Sequence, residues 1–342
     1  MGFVYLYICN GEKMIVIILL FIILILVGIS KKQTNALSQV NILALRGICA
    51  FEIMIGHIGL ATGSKWLYLN RKAGILFVGI FFMLSGYGLR YSLDTKTDYL
   101  NRFLINHFIK IFPIAYIVFL LGTLGCHLIN GMPINRLWFI SIKDFLSGAN
   151  WYVGEILLLY LIYWLSYKFI NKIIGKNIIL GASLILILCC YFLKFDKPWY
   201  GSTICFWLGI VWYENEKKII DKFSKNVMFY CLVGFIFISS MLLFMIDENG
   251  IIGLVFARNM ASAAFCVLII LILYNVKIGN KITNILGIES YALYLIHPWI
   301  ITILKEFNFN LTLFSWIIIL GSIGVAFVLT YIMKLVDKRV RR

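Results

Sequence analysis

The chain has 342 residues, 62% of them hydrophobic and only 13% charged, with a net charge of +16. A soluble domain carries about 25% charged residues, so the composition excludes a soluble globular protein and describes a polytopic membrane protein. The positive charge does not describe a nucleic-acid binder, because the basic residues are scattered through short connections and not gathered on one polar domain.

In chain order, the first apolar run, 14–29, is preceded by a single basic residue, Lys13, lacks an A-x-A-like cleavage site and is followed by Lys31 and Lys32. It reads as a retained span and not a signal peptide, so residues 1–36 are expected to form an extra N-terminal span ahead of a transmembrane domain at 37–342. The second run, 41–60, is long enough to cross a bilayer yet carries Arg46, Glu52 and His57. Nine further runs follow, at 73–93, 108–128, 150–169, 178–193, 199–213, 227–246, 251–274, 287–304 and 311–333. The expectation is an all-α transmembrane helical bundle of about eleven spans, most near the 17–25 residues that a crossing needs. The runs 178–193 and 199–213 are short, and each reads as crossing, re-entrant or merged with its neighbour. Pro113 and Pro298 fall inside spans, where they free backbone carbonyls and kink the helix.

All eight cysteines sit in apolar surroundings without a C-x-x-C pair, so they read as small hydrophobes and not as a disulfide frame. No set of His, Cys and carboxylates has metal spacing, and no metal is expected. With the N-terminus placed outside, the inner connections collect about twice as many basic residues as the outer ones, and the tail KRVRR falls inside. This predicts a multi-pass cell-membrane protein with an outer N-terminus and a cytoplasmic C-terminus, in contact with membrane lipids.

Arg46 and His57 lie eleven positions apart, three turns plus about 20°, so both leave nearly one helix face about 16 Å apart along the axis. Glu52, about 240° round from Arg46, does not share that stripe and reads as structural, paired with a cation on a neighbouring span or protonated. An ionisable residue inside a span costs on the order of 2.5–3.5 kcal/mol and is by default a functional hypothesis. Arg46 in the inner half suits a phosphate-bearing donor. His57 in the outer half suits a general base for a hydroxyl arriving from outside. The competing reading is a structural polar pair held by neighbouring spans.

Five elements resemble the bacterial acyltransferase family 3: the Arg–ten residues–His pattern of LRGICAFEIMIGH, FFMLSGYGL (81–89), KIFP (110–113), NWYVGEILLLYL (150–161) and ESYALYLIHPW (289–299). Lys110 stands where the family usually has Arg, keeping the charge but losing the bidentate fork. The resemblance implies a ten-helix acyltransferase core, here with one extra span. It further implies an integral-membrane enzyme moving an acyl group, most often acetyl, from cytoplasmic acyl-CoA to a glycan hydroxyl at the cell surface or on a lipid carrier. Acyl-CoA is then a co-substrate, no cofactor is bound, and envelope-glycan synthesis proteins are possible partners. His57 and Arg46 become the catalytic candidates; Arg46, Lys110 and Arg102 become the donor-binding ones, although Arg102 also reads as ordinary loop charge.

Other residues keep two readings. Ser85 and Gly86 lack a G-x-S-x-G context and suit close packing against the Arg46/His57 span. Trp151, Tyr152 and Tyr160 read as an interfacial aromatic belt, with Trp151 stacking on an acceptor sugar as the other reading, while Glu155 reads as binding a sugar hydroxyl or Arg258. His297 reads as hydrogen-bonded structure or, with Tyr291 and Tyr294, as part of an acceptor-binding or cavity lining. A transporter or flippase of lipid-linked glycan is the alternative function, because a polar stripe in a bundle also marks a substrate pathway. The absence of visible duplicated halves weighs against it.

Overall fold

The computed structural model describes residues 29–31, 37–64, 67–130, 145, 150–170, 172–307 and 309–340; the expected first span lies almost wholly outside them. The described chain is helical: α1 Gln39–Thr62, α2 Tyr68–Thr95, α3 Phe103–Ile129, α4 Trp151–Phe169, α5 Lys172–Phe192, α6 Ile204–Phe223, α7 Val227–Ile246, α8 Arg258–Asn275, α9 Lys281–Ile288, α10 Ser290–Leu304 and α11 Leu311–Val340. A short antiparallel pairing of β1 (Ser30–Lys31) with β2 (Val276–Lys277) ties the start of the described chain to the end of α8. Helices are the expected answer in lipid, where backbone groups must be satisfied within the segment. Their starts are set locally. Ser38 caps α1 by accepting from the Asn41 amide, and Asn280 and Thr283 form a capping box on α9. α1 stops at Gly63, whose φ of 63° is the left-handed conformation that favours glycine.

Among the described residues, seven helices are long and apolar enough to cross a membrane, and α9 with α10 makes an eighth if the bent pair is one span. This is a multi-pass membrane protein. α4 and α6, which the sequence reads as further spans, do not pass on apolarity. α4 carries Glu155, Lys168 and several tyrosines, and the second half of α6 carries Glu214, Glu216, Lys217, Lys218, Asp221 and Lys222. The run 199–213 starts as a 3₁₀ turn at Lys197–Tyr200, and its helix begins only at Ile204. The short run 178–193 is, by contrast, part of the full helix α5. Residues 251–274 open with a π-helical turn, Ile252–Ala257, held by the Gly253 amide donating to Asp247 Oδ2 at 2.8 Å.

The expected single span 287–304 is broken. α9 ends at Ile288 and α10 leaves at 75° to it, with Ser290 Oγ donating back to the Gly287 carbonyl at 2.9 Å. The bend falls at Glu289, nine residues before Pro298, which sits inside α10 as Pro113 sits inside α3.

Glycines set the closest helix approaches. Gly86 on α2 lies against the carbonyl of Phe206, and Gly209 on α6 lies against that of Met83, so a Cβ on either residue would overlap backbone. Gly47 on α1 meets the Thr283 carbonyl, and Gly287 on α9 meets that of Leu43 in the same reciprocal way. The expectation that Gly86 packs against the Arg46/His57 helix is therefore corrected: the close partner of α2 at Gly86 is α6, and α1 uses its own glycine against α9.

Ion pairs gather at the two ends of the bundle. At one end Arg90 holds Asp94 at 2.6 Å and Glu214 at 2.9 Å, while Lys172 and Lys176 reach the same carboxylates at 2.7 and 2.8 Å. At the other end Lys72 pairs with Glu248 at 2.7 Å. Arg258, one expected partner for Glu155, instead donates to the Lys197 carbonyl at 2.9 Å and lies over the Phe244 ring.

Candidate active site

Arg46 sits in the second turn of α1, and Ala50, Ile53 and His57 follow at the spacings that keep one helix face. The first three line one cavity of about 60 Å³. α2 contributes Val78 and Phe81, α4 contributes Tyr152, and α10 contributes Ser290, Tyr291, Tyr294 and His297. The walls are mostly apolar, with Arg46 among the polar groups and His297 at a further turn of α10. The break before α10 aims these four residues inward: at i, i+1, i+4 and i+7 from Ser290 they share one face of the new helix axis.

His57 is one hydrogen bond beyond that lining. His57 Nδ1 and His297 Nε2 are 2.8 Å apart, and His297 Nδ1 is 2.7 Å from the Leu293 carbonyl. A carbonyl oxygen only accepts, so His297 Nδ1 carries the proton. With both rings uncharged, His297 Nε2 is then the acceptor and His57 Nδ1 the donor. The relay leaves His57 Nε2 with its lone pair unused by either bond. His297 is 1% exposed, whereas His57 is partly exposed, so the free nitrogen belongs to the more open ring.

A second polar line leads away from Arg46. Ser85 interacts with the hydroxyls of both Tyr152 and Tyr160, and both tyrosines lie within electrostatic reach of Arg46. Tyr160 packs edge-on against His107 with ring centroids 5.1 Å apart, and Tyr99 OH lies 3.0 Å from His107 Nε2. Burial holds the Tyr99 phenol above its ordinary range, so it stays protonated beside His107. This line ends near the start of α3, where Arg102 and Lys110 are both exposed.

The structure sorts the expected residues. Arg46, Tyr291, Tyr294 and His297 meet at the cavity, with His57 joined to them through His297. Ser85 is more than a packing residue, being part of the tyrosine line. Trp151 is buried but off the cavity; Tyr152, about 100° round the helix, takes the wall position. Glu155 is 0% exposed and accepts from Thr203 Oγ1 at 2.6 Å, so its partner is Thr203 and not Arg258. Glu52 accepts from Asn70 Nδ2 at 2.8 Å, a neutral partner where a cation was one expectation. Lys110 and Arg102 do not line the cavity. The relation of His107 and Tyr160 to Arg46 has no signal in residue spacing, since it passes between helices.

A search of curated proteins and of solved structures returned no significant match. A family model described as an acyltransferase domain matches residues 39–334, which includes every cavity residue. The chain therefore belongs to acyltransferase family 3 and is a multi-pass membrane acyltransferase.

Proposed function

We propose that the protein is an O-acyltransferase that moves a short acyl group, acetyl foremost, from cytoplasmic acyl-CoA to a hydroxyl of a cell-surface or lipid-linked glycan. The observation that carries this reading is the pairing of a cation and an oriented imidazole on one stripe: Arg46 on the cavity, and His57 fixed by the His297–Leu293 relay.

The donor enters from the Arg46 end with its acyl group leading. The Arg46 guanidinium meets the donor's negative charge, and Lys110 and Arg102 hold phosphate at the rim. The acceptor hydroxyl approaches His57 Nε2, which takes its proton as the hydroxyl oxygen bonds to the thioester carbonyl carbon. The carbon–sulfur bond then breaks, and the proton passes from His57 to the departing thiolate. A positioned base of this kind contributes about 10²–10⁴-fold. Trp151 and Glu155 stand one layer behind the cavity, as supports for the acceptor side.

His57→Ala tests the assignment. The substituted protein is expected to accumulate in the membrane while acyl substituents on surface glycans, read by NMR, fall to the level of a deletion strain. Wild-type acylation by a stably expressed His57→Ala protein sinks the role of His57.

A further inference from the structure

The stripe between the two polar ends is apolar, and this gives it a job of its own. Ala50 and Ile53 occupy the turns of α1 between Arg46 and His57, and Val78 and Phe81 face them from the neighbouring α2. Ala50, Ile53 and Val78 are each buried. A polar substrate group placed against these side chains loses its hydration without gaining a hydrogen bond, at a cost of about 1–3 kcal/mol per group. A hydrocarbon group placed there gains by burial. The space is also small. At about 60 Å³ the cavity holds only a few water-sized units of ~10–15 Å³ each, enough for an acyl group of two or three carbons and too little for a fatty chain.

From this we infer that the wall formed by Ala50, Ile53, Val78 and Phe81 is the acyl-chain subsite, and that Ile53 and Val78 set the longest acyl group the enzyme transfers. The inference rests on the acyl-CoA reading above and adds to it a specificity determinant. The thioester carbonyl lies at the histidine end of the cavity and the alkyl group turns aside against Ile53 and Val78, so trimming either side chain widens the slot without touching Arg46, His57 or His297. Close packing makes such a wall stiff, so a chain one methylene too long is rejected by about tenfold or more.

The test uses the full chain in lipid nanodiscs with acetyl-, propionyl-, butyryl- and hexanoyl-CoA and a glycan-bearing envelope fraction from a deletion strain as acceptor, reading release of free CoA against a blank without the enzyme. The wild-type protein is expected to prefer acetyl and propionyl to butyryl, and to leave hexanoyl untouched. Val78→Ala and Ile53→Ala are each expected to raise the butyryl-to-acetyl rate ratio about tenfold. Because the readout is a gain on one substrate relative to another, general damage does not imitate it. Where Ile53→Ala fails to accumulate, Ile53→Val takes its place with a smaller shift in the same direction. A ratio unmoved in variants that still turn over acetyl-CoA overturns the subsite. Turnover of none of the four thioesters by the wild-type protein overturns the acyl-CoA reading itself, and the subsite with it.

Discussion

At the scale of single residues, Arg46 and His57 were legible because spacing alone puts them on one face of one helix. His297 was legible as a cavity candidate from its motif, but its bond to His57 was not, since nothing in the sequence relates positions 240 apart. The relay gives it a distinct consequence. His297 touches no reacting atom; it holds the proton of His57 on Nδ1 and so keeps Nε2 available. His297→Ala is therefore expected to lower kcat about 10²-fold while leaving the KM for the acyl donor near its wild-type value. His297→Gln retains an amide oxygen able to accept from His57 Nδ1, and should recover part of the loss. Steady-state kinetics on both variants check this; a loss confined to KM, or equal loss in both variants with reduced thermal stability, makes His297 a packing residue only. The exchange of Trp151 for Tyr152 at the wall has a simpler cause: a motif locates a turn, and about 100° of helix rotation decides which neighbour faces inward.

At the scale of elements, the apolar runs predicted most helices, and the break they missed has a plain origin. Hydropathy measures whether a segment prefers lipid, not whether its axis is straight, so 287–304 read as one span although the chain turns at Glu289. α4 and α6 carry polar groups that neighbouring residues cover: Thr203 donates to one oxygen of Glu155, and Arg90 and Lys176 pair with Glu214. Small residues in 79–88 correctly signalled a close crossing, but glycine spacing cannot name the helix on the other side. The reciprocal contact of Gly86 and Gly209 predicts its own cost. A side chain at 86 meets the Phe206 backbone, which no rotamer change relieves, so Gly86→Leu should destabilise by about 1–3 kcal/mol and lower the thermal midpoint of the detergent-solubilised protein. Gly88→Ala is the control: nothing lies within 4 Å of its added Cβ, and its midpoint should hold or rise slightly, alanine being the better helix former. Equal effects at both positions contradict the crossing.

Across the whole molecule, the connections sort into two ends as the alternation of spans requires. Arg90, Lys172 and Lys176 share one end through Asp94 and Glu214, and Lys72 shares the other with Glu248. The basic bias proposes that the first of these ends is cytoplasmic, which also puts the Arg46 half of the stripe toward the donor. A fluorescent protein fused after Arg342 should then glow, alkaline phosphatase fused there should stay inactive, and the phosphatase should become active when the fusion point is moved back to Lys305. The reverse pattern places Arg46 on the outer side and removes the cytoplasmic donor from the mechanism.

The stripe on α1 has a consequence for how such a protein can change over generations. Substitutions at Ala50 or Ile53 alter the wall but leave Arg46 and His57 where they are. An insertion or deletion of one residue between them is another matter: it swings His57 by about 100° and shifts it by about 1.5 Å, out of line with His297. Even seven added residues, which nearly restore the face, move the imidazole about 10 Å along the axis. The helix therefore tolerates rewriting far better than it tolerates resizing. What heredity must preserve between these two residues is a count of ten and, within it, the glycine at 47 that lets α9 approach.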